Sequence, residues 1–281
     1  MLRYDIKYWE SSIIRGDNFM ADERLEDLNI EDRRKKILEL LNRGGKVKVI
    51  DLSKLFSISE VTARGDLDAL EESGLLERIH GGAISTYKSY YNMTFQDRSE
   101  TNKEEKKRIA VEAASVISDG DTIILGSGTT PLFVVRELKD KKNLIIVTNS
   151  LSVVHEVSYN RNISNVILLG GNVNLQYQFT FGDDTINQLK KYKADKLILS
   201  SDGVSSEFGI TTYHHLEAEM NRHMIERVNK TIVVADYTKI GRASFSHIES
   251  ADKIDCLITN ENANKEEIAE IKGKGTEIRL V

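Results

Sequence analysis

The chain has 281 residues, 40% of them hydrophobic and 30% charged, so it can bury a sizeable core and is not a disordered polyelectrolyte. Its formal net charge of −5 argues, as an average, against a protein that coats nucleic acid or an anionic membrane along its whole length. A single cysteine, Cys256, excludes an internal disulfide framework and a cysteine-rich zinc site; the longest apolar runs are strand-sized, far below the roughly 18 residues of a membrane-spanning helix. The opening residues MLRYDIKYWE carry no apolar stretch followed by a small-residue cleavage site, so the expected setting is the cytoplasm.

Residues 1–30 are expected to be an N-terminal extension. The first nineteen show neither helical nor strand period, and a more ordered stretch opens at Met20, which is a candidate translation start. From Glu31 to Arg43, Ile37, Leu40 and Leu41 fall at i, i+3, i+4 and predict an amphipathic helix ended by Gly44-Gly45. A second helix is expected over Val49 to Phe56. Ser59 is an N-cap for a third, running to Glu72. Leu75 to His80 reads as a strand and Gly81-Gly82 as a hairpin tip. Three short helices followed by a β-wing make a winged helix-turn-helix pattern over residues 31–88.

After a tyrosine-rich linker, Thr86 to Met93, the rhythm changes. A helix is predicted over Lys103 to Ser118, then strands at Thr122–Leu125, Leu144–Thr148, Val166–Leu169, Lys196–Ser200, Thr231–Ala235, Cys256–Thr259 and Glu277–Leu280, separated by helical stretches. Continuous apolar strands alternating with helices predict a parallel α/β sheet over residues 95–281, with ligands bound beyond the strand C-terminal ends.

Cutting the chain into pieces changes the meaning of its charge. Residues 33–88 hold 11 Lys/Arg against 8 Asp/Glu, a net of +3, whereas residues 20–32 alone carry −5. Arg33, Arg34, Lys35, Lys36, Arg43, Lys46 and Lys48 crowd the first helix and its exit, a cluster that could hold phosphates without reading sequence or could be a solvated face. On the third helix Ala63, Leu67 and Leu70 share one stripe, so Gly65 points away from the core with Thr62 and Arg64 beside it. Those positions, with Ser59 and Glu60, are the candidates for the major groove of double-stranded DNA; Arg78 and His80 on the wing are candidates for a phosphate or the minor groove. The competing reading of Arg64 is an ion pair with Asp68. Asp66 is expected to pair or cap within the domain, because phosphate would repel it.

In the second half, Gly126-Ser127-Gly128-Thr129-Thr130-Pro131 follows a strand and opens a helix. Small residues let backbone approach an anion, hydroxyls add donors, and the helix N-terminus supplies partial positive charge. The lone proline sits where a missing N–H costs nothing. Neither a Walker sequence nor a dinucleotide fingerprint is present, and no cofactor is expected. Asn149-Ser150, Gly170-Gly171, Asp202-Gly203, Asp236 and Lys239 also follow apolar strands and could converge on the same rim. The adjacent His214 and His215, with His223, lack metal-ligand spacing, so no metal is expected.

Ser59 to Leu67, Leu70 to Leu76 and Arg78-Ile79-His80-Gly81-Gly82-Ala83 resemble the signature of DeoR-type bacterial transcriptional regulators. The likeness continues through Phe95, Arg98, Asn102, Glu105-Lys106 and Ile109-Ala110 and covers nearly everything after residue 30. It implies a winged helix-turn-helix joined to a Rossmann-like, mostly parallel α/β sensor domain similar to ribose-phosphate isomerases. It also implies operator DNA and a phosphorylated sugar as partners, and phosphate contacts by Ser127, Gly128, Thr129 and Thr130 with Asn149, Asp202 and Lys239 nearby. A homo-oligomer follows from paired half-sites. Glu217-Ala218 and Arg222 are another family match, read here as domain packing. Three departures stand out: Gly65 where the family has a second arginine, Gly126 where it has an acidic residue, and the stretch Asn172 to Phe181. Two rival readings remain at this stage, a sugar-phosphate isomerase with Asp202 or Asp236 as base and Lys239 as electrostatic partner, and a regulator whose ligand site has degenerated.

Overall fold

The computed structural model describes residues 28–44, 46–85, 93–160 and 162–281; the N-terminal extension up to residue 27, the Met20 start and most of the linker lie outside them. Helix α1 (Ile30–Gly44) buries Ile37 and Leu41, and α2 (Val49–Leu55) buries Val49 and Leu52. Helix α3 (Glu60–Glu72) buries the stripe Ala63, Leu67 and Leu70, and its N-cap is Ser59, whose side chain accepts from the Thr62 N–H. These side chains and Phe56, Leu76 and Ala83 form one small core. The wing is β2 (Leu76–Ile79) and β3 (Gly82–Ser85), turned by Gly81.

A third strand, β1 (Lys46–Lys48), pairs antiparallel with β3 and was not anticipated, because three residues with one apolar member carry no period. The basic cluster is also partly corrected. Arg33 and Arg34 donate through Nε to the buried Asp66 carboxylate at 2.6 and 3.0 Å, and Lys36 pairs with Glu39 at 3.0 Å. Asp66 thus pairs within the domain, as expected, and ties α1 to α3.

The second half opens with α4 (Phe95–Glu100), whose capping box joins Thr94 and Asp97, and α5 (Lys103–Ser115). Seven strands form one wholly parallel sheet: β4 (Thr122–Leu125), β5 (Leu144–Thr148), β6 (Ile163–Leu168), β9 (Ala194–Leu199), β12 (Val228–Val234), β14 (Cys256–Thr259) and β15 (Glu277–Leu280). Their spatial order is β15-β14-β12-β9-β4-β5-β6. Side chains alternate between two cores: Ile124, Val147, Leu197 and Val233 face one layer, whereas Ile123, Ile146, Ile198 and Ile232 face the other. Burial on both faces explains why these strands read as continuous apolar runs.

The chain runs outward from β4 to β5 and β6, then returns to place β9 on the other side of β4. The switch point therefore lies between β4 and β9, where an open α/β sheet leaves a crevice at the strand C-terminal ends. Two small sheets project beyond that rim. One is the hairpin β7 (Asn172–Asn174) and β8 (Phe179–Phe181); the other joins β10 (Gly203–Ser205), β11 (Gly209–Thr212) and β13 (Ser246–Glu249). Helices α6 (Thr129–Glu137), α7 (Leu151–Val157), α8 (Asp183–Leu189), α9 (His215–Ile225) and α10 (Lys265–Gly273) complete the domain. No described helix is long and apolar enough to cross a membrane.

Candidate ligand pocket and nucleic-acid interface

On the winged domain, Ser59, Glu60, Thr62, Arg64 and Gly65 are exposed along the start of α3, and His80 is exposed at the wing tip. A Cβ built on Gly65 meets nothing within 4 Å, so this face is open at that point. Arg64 pairs with Glu60 at 2.6 Å rather than with Asp68. Asp68 instead takes Arg78, whose Nη1 lies 2.6 Å from its carboxylate, while Arg78 Nε donates to the Gly82 carbonyl. Arg78, expected to reach outward, turns inward and staples the wing to α3.

In the α/β domain, Thr129, Thr130 and Lys239 line one pocket at the switch point, together with Arg98, Lys106, Ser200, Ser201, Val234, Ala235 and Asp236. Gly128 caps α6 at φ 120°, and a Cβ there would lie 2.2 Å from Ser200 Oγ, so only glycine lets the loop pack this closely. The buried Thr129 and Thr130 open α6, whose unpaired N–H groups point to the pocket end. Lys106 is 2% exposed; its ammonium donates to the Arg98 and Thr101 carbonyls. Burial acts to raise the pKa of Asp236, and the Lys239 and Lys106 ammonium groups overcome it, holding the carboxyl below its ordinary value. Asn102 adds a bond to Asp236 from a left-handed backbone position. Ser201 Oγ is buried with no partner among the described residues.

Ser127 and Asp202 enter through a second network. Ser127 Oγ donates to Glu217 Oε1 at 2.8 Å, and Asp202 pairs with Arg98 at 3.5 Å and accepts from the Tyr213 N–H. Thr212 Oγ1 stands 2.9 Å from Asp202 Oδ2 and 2.8 Å from Glu217 Oε2. A hydroxyl carries one proton, so both contacts are satisfied only when a carboxyl supplies another. Burial, with the Asp202 charge adding to it, raises the Glu217 pKa against the opposing Arg98 charge, which favours the protonated form of Glu217. Arg98, Lys106 and Lys239 bring three cations to the pocket, facing the carboxyls of Asp202 and Asp236. Glu217, read from sequence as domain packing, belongs to this polar network.

Other expected residues sit elsewhere. Ser150 caps α7 through the Val153 N–H. Gly170 and Gly171 pack on α8: the Gly170 N–H donates to Gln188, its carbonyl accepts from Thr185, and Gly171 lies against the Thr185 side chain. Gly203 packs against the Arg242 carbonyl. Asn149 is fully buried, donates to the Thr180 carbonyl, and leaves Oδ1 without a partner among the described residues. Arg98 and Lys106 were visible only as family matches without a role, since nothing in their helical spacing connects them to strand ends far along the chain. A wider depression formed by Arg136, Lys139, Glu156 and Tyr159 lies at the far ends of α6 and α7, and there Arg136 is paired with Glu156 at 2.9 Å. Among the described residues no cluster of His, Cys, Asp and Glu could hold a metal ion.

A winged helix-turn-helix followed by a switch-point pocket of this kind defines a helix-turn-helix protein with a sensor domain. Family models agree: the DeoR-like helix-turn-helix domain matches residues 33–89, and the DeoR C terminal sensor domain matches residues 101–261. The chain is 35% identical over 89% of its length, and 98% of the relative's, to the HTH-type transcriptional regulator GolR of Listeria innocua. It is 33% identical over 89% of its length, and 93% of the relative's, to a putative aga operon transcriptional repressor of Escherichia coli O157:H7. Against the glycerol-3-phosphate regulon repressor of Escherichia coli K12 the figures are 32%, 81% and 90%. The chain belongs to the DeoR family of transcriptional regulators. Likeness to solved structures is looser: ribose 5-phosphate isomerase A of Methanocaldococcus jannaschii covers 49% of this chain and 54% of its own, at 18% identity and a TM-score of 0.37.

Proposed function

We propose that the protein is a sequence-specific repressor of a carbohydrate-metabolism operon, released from its operator by a phosphorylated sugar. The observation that carries this reading is the pocket itself. Two threonines at a helix N-terminus and two buried lysines form a cationic cradle, bordered by Arg98 and by carboxyls suited to sugar hydroxyls. Relatives named as an aga operon repressor and a glycerol-3-phosphate regulon repressor support it. Ser59, Glu60, Thr62, Arg64, Gly65 and His80 form the DNA-facing surface, with Arg78 positioning the wing. Residues 31–88 act as the DNA-binding domain and 95–281 as the effector domain of a cytoplasmic homo-oligomer, whose paired helices need a fixed separation to read two half-sites. The ligand acts by favouring one arrangement of the paired domains.

The isomerase reading needs a carboxylate positioned to take a proton from substrate. Asp202 is engaged by Arg98, Thr212 and Tyr213, and Asp236 by Thr238 and Asn102, which favours holding a ligand over transforming it. The test is a gel shift on DNA upstream of the encoding operon with a panel of pentose and hexose phosphates. Release by one of them is expected; turnover of a sugar phosphate by the purified protein would instead establish the isomerase.

A further inference from the structure

The hairpin from Asn172 to Phe181 has a definite place in the structure. Leu151 N–H donates to the Gln178 carbonyl, Thr180 N–H to the Asn149 carbonyl, and Asn149 Nδ2 back to the Thr180 carbonyl. These bonds fasten the hairpin to the rim of the parallel sheet. Its turn is closed by Tyr177 N–H donating to Asn174 Oδ1, and the Tyr177 ring, 5% exposed, is turned inward.

That ring lies over the Arg98 guanidinium, 4.8 Å from ring centroid to Cζ, on the same cation that pairs with Asp202 and lines the pocket. Its edge meets His214 at 4.5 Å between centroids, and His214 Nε2 is buried without a partner among the described residues. Arg98 is therefore held by a carboxylate and an aromatic face, which together fix its direction and shield it from water. Beside it stands an acceptor, Asp202. This is the chemistry that reads a polyhydroxy carbon chain, whereas Thr129, Thr130, Lys106 and Lys239 suit the phosphate common to every candidate.

Resting on the reading of the pocket as a sugar-phosphate site, we propose that Tyr177 is a specificity-determining residue. By fixing the direction of Arg98, which lines the pocket, it selects among phosphorylated sugars according to their hydroxyl pattern. A site built to bond particular hydroxyls rejects analogues that leave those groups unpaired, so discrimination is concentrated at this guanidinium and its carboxylate.

The experiment measures affinity of the full chain for inorganic phosphate and for a panel of pentose and hexose phosphates, by calorimetry. It compares the native protein with Tyr177→Leu, which keeps apolar volume without an aromatic face, and Tyr177→Phe, which keeps the face. Thermal denaturation checks that each variant folds. Tyr177→Leu is expected to reduce the preference for the best sugar phosphate over the others by about tenfold, with inorganic phosphate changed less than about twofold. Tyr177→Phe is expected to keep the native ranking. An unchanged ranking in Tyr177→Leu overturns the proposal while leaving the pocket reading intact. Equal losses for inorganic phosphate and every sugar phosphate also overturn it, because they make Tyr177 a purely structural residue. A native protein that binds no phosphorylated compound removes the underlying reading, and the proposal with it.

Discussion

Replacing Gly65 by arginine probes the proposed DNA-facing surface at a point where the structure leaves open space. A Cβ at Gly65 meets nothing within 4 Å, and α3 continues through it with ordinary helical backbone, so the longer side chain enters without strain. Two effects follow. Removing glycine from a helix interior stabilises the domain by about 0.7 kcal/mol through helix propensity alone. If the position faces phosphate, an added cation also steepens the dependence of log affinity on log salt by about 0.9, so the loss of affinity between 50 and 200 mM salt grows by about 3.5-fold per new contact. Gly65→Ala separates the two, since it has the propensity gain without the charge. The assay is fluorescence anisotropy with a labelled duplex of arbitrary sequence at several salt concentrations, since the backbone term needs no operator. A Gly65→Arg protein with the native salt slope would refute the assignment of this helix face to DNA.

Other substitutions test the rest of the account. Asp66→Ala leaves Arg33, 11% exposed, without its carboxylate, and is expected to cost about 3 kcal/mol of winged-domain stability, read as a lower denaturant midpoint. Gly128→Ala places a Cβ 2.2 Å from Ser200 Oγ and is expected to abolish the sugar-phosphate response while DNA affinity persists; a normal response would show that the loop is not packed as described. Because the Glu217 pKa is raised in the folded protein, its contribution to stability is present below the ordinary value of 4.5 and is lost as pH rises through the folded-state value. Glu217→Gln keeps an acceptor for Ser127 and supplies a donor to Thr212. It is expected to match or exceed native thermal stability at neutral and alkaline pH, and a large loss there would show that Glu217 is ionised. For Asp236 the sign is opposite: its stabilisation is present above 3.8 and lost as pH falls through the lowered value, so Asp236→Asn should flatten the acid limb of the stability curve.

What the sequence disclosed follows from how far each signal reaches along the chain. The α3 stripe of Ala63, Leu67 and Leu70, the Ser59 cap and the seven apolar strands are local patterns, and each element appears within a few residues of its expected limits. Strand β1 and the two small sheets were missed because three- and four-residue strands with mixed polarity carry too few residues for a period of two. In the pocket, Thr129, Thr130 and Lys239 announced themselves by following strands. Arg98 and Lys106 did not, because they come from helices that precede the sheet and are brought to its rim only by folding. Arg78 and Glu217 show the reverse error: a charged residue in an expected place was given an outward or a packing role, whereas its partners Asp68 and Ser127 hold it in a network. The acidic average of the chain concealed the +3 of residues 33–88, because residues 20–32, which run into the first turn of α1, carry −5.

The central claim is that one pocket, at the β4–β9 switch point, controls the affinity of one DNA-facing helix. Its most direct test is titration of the full-length protein onto DNA upstream of its own operon, with and without each member of a sugar-phosphate panel, for the native chain and for Lys239→Gln. The account predicts tight salt-dependent binding, release of the native protein by at least one sugar phosphate, and unchanged DNA binding with a lost or strongly weakened response in Lys239→Gln. DNA binding indifferent to every sugar phosphate, or a Lys239→Gln protein released as readily as the native one, would contradict it.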